Sequence, residues 1–474
     1  MCGRWCCRIE LIAILTGAAL PSALAQEVGG GMDDLQAFVR VSPRDVRYLE
    51  LSNGHPYIPI GPNLVGAPPP EQMAAVVEKM AANRVNYIRL WVGQGPLDIE
   101  PRTTGDYDEQ QARNLDRALD LCARHGIRVK MCLEYFRDIP AERKLWSDRP
   151  GHHVANGGLF TSMADFLTSE RGLEHFRHKL AWYQARYGDQ PAVFAWELWN
   201  EMNCVNGPWE PWTVTMLAEL HRLFPRNLAV QSLGSFDNDA WRDMYRRISL
   251  LPGNDLAQVH RYLDLGAPLE VCHGPMDIVA ADAVRELLAF QPGKPVVLAE
   301  SGAVEPRHTG PFKLFAQDKD GLLLHDVIWA PFFTGAAGAG QIWWWQQYVE
   351  TNDLWWQYAR FAKAVEGLDP PAEGFRPTMV EHPRLRVYVL QGSRTTLAWC
   401  RDTENDWRSE LQDGKPPDLL AGQEVDLAGL LPAGPIRVRT YDPWADRWAD
   451  ATLTGSRAAL PDFRRSTMVR CERE

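Results

Sequence analysis

Two glutamates stand where apolar runs break. Residues 194–201 read Phe-Ala-Trp-Glu-Leu-Trp-Asn-Glu, and residues 295–302 read Pro-Val-Val-Leu-Ala-Glu-Ser-Gly. Apolar runs of this length, bounded by turn residues, read as buried strands. Each carries a carboxylic acid to its C-terminal tip, Glu201 in the first and Glu300 in the second. Two carboxylates facing one sugar cleave glycosidic bonds: one protonates the leaving oxygen, the other attacks the anomeric carbon or activates water. Glu197 shares parity with Glu201 but lies deeper in its strand, and it reads as a buried structural acid.

Other polar residues at strand ends could join the pair. In His260-Arg261-Tyr262 the outer two residues share a face, so His260 and Tyr262 can both point into one mouth. A tyrosine hydroxyl there would hold a carboxylate nucleophile ionised. Arg89 interrupts the apolar run Tyr87-Ile88-Arg89-Leu90-Trp91. A buried arginine needs an anionic partner; an active-site carboxylate and a structural ion pair both fit. Trp343-Trp344-Trp345 ends a later run. Its alternation puts one face in the mouth as a sugar platform, and parity alone leaves open which.

These residues need a frame that brings strand tips together. Strands are expected at residues 57–64, 87–92, 128–133, 194–201, 228–233, 256–260, 295–300 and 341–345. Helical periodicity follows each, over residues 71–83, 108–125, 172–187, 212–224, 239–250, 277–290, 322–334 and 352–366. Eight strand–helix alternations mean a parallel sheet with helical crossovers. The fold expected is α/β, a (β/α)₈ TIM barrel over residues 26–368, with its chemistry at the C-terminal strand ends. A doubly wound open sheet is the alternative. After a Leu368-Asp369-Pro370-Pro371 linker, helical periodicity stops. Short strands at 384–390, 395–400, 436–441 and 466–471 predict a small C-terminal β-sandwich over residues 372–474. The loop at 136–170, rich in Pro, Gly, His and Asn, is long enough to serve a site. It is expected to wall one end of the cleft and favour exo action or short oligosaccharides.

Composition narrows the partners. The 474 residues carry a net charge of −11, which argues against a phosphate-binding surface and a nucleic-acid partner. The 19 tryptophans suit stacking on sugar rings, or a core. Arg4 and Arg8, an apolar stretch over residues 11–20, and Ala23-Leu24-Ala25 read as a signal peptide over residues 1–25. That stretch is too short to span a bilayer, so a secreted or periplasmic protein with no membrane insertion is expected. Three of the nine cysteines lie in that leader; the other six match no zinc motif. With no phosphate loop and no His-Glu-x-x-His, no cofactor and no metal is expected. His152-His153 reads as loop, because adjacent histidines rarely chelate together.

With Asn200-Glu201, Glu300, Arg89, His260-x-Tyr262 and the Trp run in place, the barrel resembles glycoside hydrolase family 5. This family belongs to a large clan of (β/α)₈ retaining β-glycosidases. The stretch from Asn156-Gly157-Gly158 to Glu201 is similar to bacterial cellulase-family glycosyl hydrolases. The resemblance implies Glu201 as acid/base, Glu300 as nucleophile, and Asn200 bonding the 2-hydroxyl. It places Arg89 and Tyr262 beside the nucleophile, His260 near the acid/base, and Trp344 or Trp345 at the reacting sugar, with Trp344 slightly favoured. Many members carry a histidine after the third strand; here Glu134-Tyr135 stands there, a third acid expected near the mouth. The implied activity is retaining hydrolysis of a β-mannan- or β-glucan-type oligo- or polysaccharide. The alternatives are a non-catalytic carbohydrate-binding barrel and a sister-family β-galactosidase- or β-xylosidase-like enzyme.

Overall fold

A computed structural model describes residues 32–474, so the expected leader lies outside the described residues. Seven parallel strands form most of a barrel: β1 (Asn63–Leu64), β2 (Tyr87–Trp91), β3 (Arg128–Glu134), β4 (Val193–Trp199), β5 (Leu228–Val230), β6 (Ala257–Leu263) and β7 (Val296–Ala303). β1 to β5 pair in sequence order, and β6 pairs with β7. Hydrogen bonds close both seams. Between β5 and β6, Asp255 N–H donates to Ala229 (2.9 Å) and Phe236 N–H donates to the His260 carbonyl (2.8 Å). On the other side Ser301 N–H donates to Gln341 (2.9 Å), and Asn63 N–H to Ile342 (2.9 Å). The eighth stave is therefore one bridge, Ser301 to Ile342, and not a strand over 341–345. Beyond it the chain coils into a π-type turn, Trp345–Glu350. The expected first strand is also split: Pro56–Tyr57 joins a small antiparallel sheet, and only Asn63–Leu64 reaches the barrel. Pro59 and Pro62 lie between them, and neither can donate to a ladder.

Eight helices follow the staves: α1 (Met73–Ala82), α2 (Glu109–Arg124), α3 (Glu170–Tyr187), α4 (Trp209–Leu223), α5 (Arg242–Leu250), α6 (Met276–Ala289), α7 (Leu322–Phe333) and α8 (Trp356–Ala364). Their starts follow from local chemistry. The Asp108 side chain accepts the N–H groups of Gln110 and Gln111 before α2, and Ser169 caps α3 through Gly172 N–H. Such caps satisfy donors that the first turn leaves free.

The C-terminal region holds a six-stranded antiparallel sheet and a three-stranded one. Alternation divides the larger sheet. Tyr388, Leu390, Leu397, Trp399 and Met468 join the barrel core, whereas Val387, Val389, Ala398, Cys400 and Val469 form a second core. Covered by barrel on one side and sheet on the other, α7 is buried along all twelve residues and lacks a polar face. Polar locks fix this junction. Arg386 and Tyr388 bond Asp277 of α6 (2.6 and 2.8 Å), and Arg401 bonds Asp326 of α7 (2.9 Å). The six cysteines among the described residues are free.

Arg401 and Asp326 are both buried, so removing one strands the other charge. Asp326→Ala should cost about 3–5 kcal/mol, read as a lower denaturation midpoint by chemical unfolding. A change within error would show that the two regions do not depend on this pair.

Candidate active site

The floor of the mouth is one guanidinium. Arg89, on β2, is fully buried. Its Nε and Nη2 donate to Glu197 (2.6 and 2.9 Å), Nη1 donates to Asn63 (3.1 Å) and to Glu300, and Nη2 also donates to Asn200 (2.8 Å). The two partners that the sequence leaves open for Arg89 are both present: a structural ion pair with Glu197 and a bond to the candidate nucleophile. Glu197 is the buried acid expected. Burial would raise its pKa, but the charges of Arg89 and Lys130 hold it at about 2. Lys130, buried 3.8 Å from Glu197, is pushed down to about 8 by burial.

Glu300 sits in β7 where the pairing with β6 shifts register between Leu298 and Glu300. The strand does not break at Gly302 as the sequence suggests; it runs on to Ala303. One Glu300 oxygen takes Arg89, and the other accepts the Tyr262 hydroxyl (2.8 Å). His260 Nδ1 stands 3.1 Å from Glu201 Oε1 and 3.2 Å from Glu300 Oε2. The three groups offer atoms all within 4.8 Å of one another. That separation suits direct attack by one carboxylate; an intervening water needs a wider gap.

Glu201 is presented by a backbone kink. β4 ends at Trp199, and Glu201 takes φ 52°, ψ 58°, the left-handed region. For a residue with a Cβ this costs about 1–2 kcal/mol. Arg137, at the start of the long loop, holds the kink. Its guanidinium donates to the carbonyls of Asn200 and Glu201 and to Glu201 Oε2 (2.9 Å). Ser232 Oγ accepts the Glu201 N–H (3.2 Å). Burial works to raise the Glu201 pKa, but the bond with His260 and the charge of Arg137 outweigh it and hold it down at about 2. Asn200, whose oxygen is taken by Arg89, keeps its amide NH2 for a ligand.

The remaining expectations divide. Gly302, at φ 132°, lets Ile342 pack close: a Cβ there would lie 2.8 Å from Ile342 Cδ1, with Trp344 Cδ1 at an ordinary 3.4 Å. The Trp344 indole N–H is buried without a partner. Trp345 is buried and its N–H is bound by the Val65 carbonyl (2.7 Å), so that donor is not offered to a ligand. Glu134 does not join the mouth acids. Lys179 of α3 captures it and also bonds Glu100 (3.0 Å). His152 bonds Thr104 (2.8 Å) and His153 accepts the Ala155 N–H (3.1 Å), so both belong to the loop. Sequence reasoning missed Arg137, which follows β3 with no periodic signal. It also missed Trp91, whose ring lies 5.9 Å from the Arg89 guanidinium carbon.

A family model described as cellulase (glycosyl hydrolase family 5) matches residues 52–310, more than half of the chain. The chain belongs to glycoside hydrolase family 5. Among its relatives, mannan endo-1,4-beta-mannosidase 3 of Oryza sativa subsp. japonica is 25% identical over 363 residues, covering 68% of this chain and 73% of that protein. Mannan endo-1,4-beta-mannosidase 7 of Arabidopsis thaliana is 25% identical over 291 residues, covering 53% of this chain and 65% of that one. A solved family 5 glycoside hydrolase from Bacteroides vulgatus ATCC 8482 superposes with a TM-score of 0.59 at 13% identity, covering 93% of this chain and 94% of its own, and bears on the fold alone. As a family 5 member the protein is an O-glycosyl hydrolase.

Arg137 sets the charge of the acid. Replacing it by glutamine removes a cation and raises the Glu201 pKa. An acid catalyst works while protonated, so the basic limb of the kcat/KM profile should move to higher pH, by about one pH unit. A profile that keeps its basic limb while activity falls would show that Arg137 acts on geometry alone.

Proposed function

We propose that the protein hydrolyses β-mannan with net retention, with Glu300 as nucleophile and Glu201 as acid/base. The observation that carries this reading is the carboxylate pair within 4.8 Å, bridged by His260. The mannosidase names of the rice and thale-cress relatives support mannan as the substrate class.

In the first half-reaction a Glu300 oxygen attacks the anomeric carbon as the glycosidic C–O bond breaks. Glu201 gives its proton to the departing oxygen, and a glycosyl ester forms on Glu300. In the second half-reaction Glu201, now a carboxylate, takes a proton from water, and that water displaces Glu300. Arg89 and Tyr262 fix both oxygens of Glu300, so the attacking group is oriented before substrate arrives. The Asn200 amide is positioned to donate to the 2-hydroxyl of the attacked sugar. Because Arg137 and His260 favour the Glu201 carboxylate in the free enzyme, activity should be greatest on the acid side of neutrality. The basic leader-like residues Arg4 and Arg8 with the apolar stretch behind them support an exported enzyme. Mass spectrometry of the secreted chain should find a mature terminus at Gln26.

Glu300→Ala and Glu201→Ala should each lower kcat on mannan by 10²-fold or more. Glu201→Ala should lose far less on an aryl mannoside whose phenolate departs without a proton. Reducing-sugar release across mannan, glucan, xylan and galactan checks the substrate: wild type inert on mannan overturns the specificity, and Glu300→Ala near full activity overturns the role.

A further inference from the structure

The mouth has two unlike sides. After β5, β6 and β7 come Asp237, Asp264 and His308, whose ligand atoms lie within 4.8 Å of one another. The ends of β2, β3 and the eighth stave instead carry aromatic rings. Trp91 stacks on Tyr135 (5.4 Å between centroids, 21° between planes) and meets Trp343 edge-on (5.2 Å). Tyr135 in turn stacks on Trp146 (5.8 Å, 7°). A row of rings therefore runs outward from the guanidinium that holds Glu300, in steps of 5.9, 5.4 and 5.8 Å. Exposure rises along it, from 3% at Trp91 to 8% at Tyr135 and 65% at Trp146.

The row ends in an unusual side chain. Trp146 is 65% exposed, the most exposed large hydrophobic group among the described residues, and Leu145 beside it is 62% exposed. Their backbone is nonetheless locked. Asp148 accepts the N–H groups of Lys144 and Leu145 (2.8 Å each). Arg137 N–H donates to the Ser147 carbonyl (2.8 Å). Ser147, Asp148 and Arg149 are buried, and Arg149 pairs with Asp98 (2.6 Å). An indole held out in water by a fixed backbone loses little freedom on binding. Its flat, electron-rich face matches the C–H face of a pyranose, whose hydrogens carry partial positive charge.

We propose that Trp146, backed by Tyr135, is a distal sugar platform, binding the backbone of the β-glycan several residues from the bond that is cut. On this assignment the long loop extends the binding surface outward instead of walling it. The inference deepens the mannan reading and rests on it for the identity of the sugar.

The test is Trp146→Ala, with Trp146→Phe as the conservative variant, assayed on manno-oligosaccharides of two to six units and on an aryl mannoside. The expected result is a KM for mannohexaose raised roughly tenfold, the scale of one aromatic contact. The aryl mannoside KM and kcat should be unchanged, with partial rescue by phenylalanine. Equal losses at every length, or no loss at any, would overturn the platform. So would unchanged kinetics with a dimer lost on size-exclusion chromatography, which would assign Trp146 to a second copy of the chain. Wild-type hydrolysis of mannohexaose tests the mannan reading separately; a wild type preferring gluco-oligosaccharides is compared with its variants in that series, with the same two outcomes.

Discussion

The site depends on one buried cation. Arg89 lies at the floor of the barrel mouth and spends its guanidinium on Glu197, Asn63, Asn200 and Glu300. These residues come from β1, β2 and β7, from β4, and from the turn that follows β4, so a single planar group ties four separate parts of the sheet together. The bonds form a fork, which a lysine would not reproduce. Burial of so much charge is tolerable because it balances locally: Arg89 and Lys130 face Glu197 and Glu300. Removing Arg89 would leave two buried carboxylates facing a single lysine, in a medium where uncompensated charge is expensive, so structure and site would fail together.

Glu201 is held on a different principle. No strand pairing reaches it, and its backbone stands in a left-handed conformation that a non-glycine residue adopts only under constraint. The constraint comes from Arg137 and Ser232, which bond the residues around the kink. The two catalytic candidates thus differ in how they are held. Glu300 is fixed by ladder, arginine and tyrosine, and Glu201 by a bent turn whose charge is tuned by a loop residue. That division suits a reaction in which one carboxylate must stay put as the attacking group while the other gives up and recovers a proton.

Period-two alternation made much of this legible in the chain. It brought His260 and Tyr262 to one face and marked Glu197 as a deep acid, while the breaks in the apolar runs pointed to Glu201, two residues past β4, and to Glu300, inside β7. Legibility ended where the ladders did. The strand expected through Trp345 stops at Ile342, so parity says nothing of Trp345, which turned away to Val65. Glu134 reads by position as a mouth acid, yet Lys179 of α3, over forty residues later, draws it aside. Arg137 and Trp146 sit in a loop without periodicity, and only the folded backbone brings them to the acid and to Tyr135. The C-terminal strands were readable from turn chemistry, but their locks on α6 and α7 were not, since those pairs span more than seventy residues.

The Glu201 and Glu300 carboxylates offer oxygens within 4.8 Å of each other, the close spacing that suits two displacements and not the wider gap of a water-activating pair. The stereochemistry of the first product tests it directly. Proton NMR of a β-linked manno-oligosaccharide digest should show the β-anomer first, with the α-anomer rising only as the product mutarotates. An α-anomer appearing first would mean a single displacement by water and would contradict the assignment of Glu300 as nucleophile.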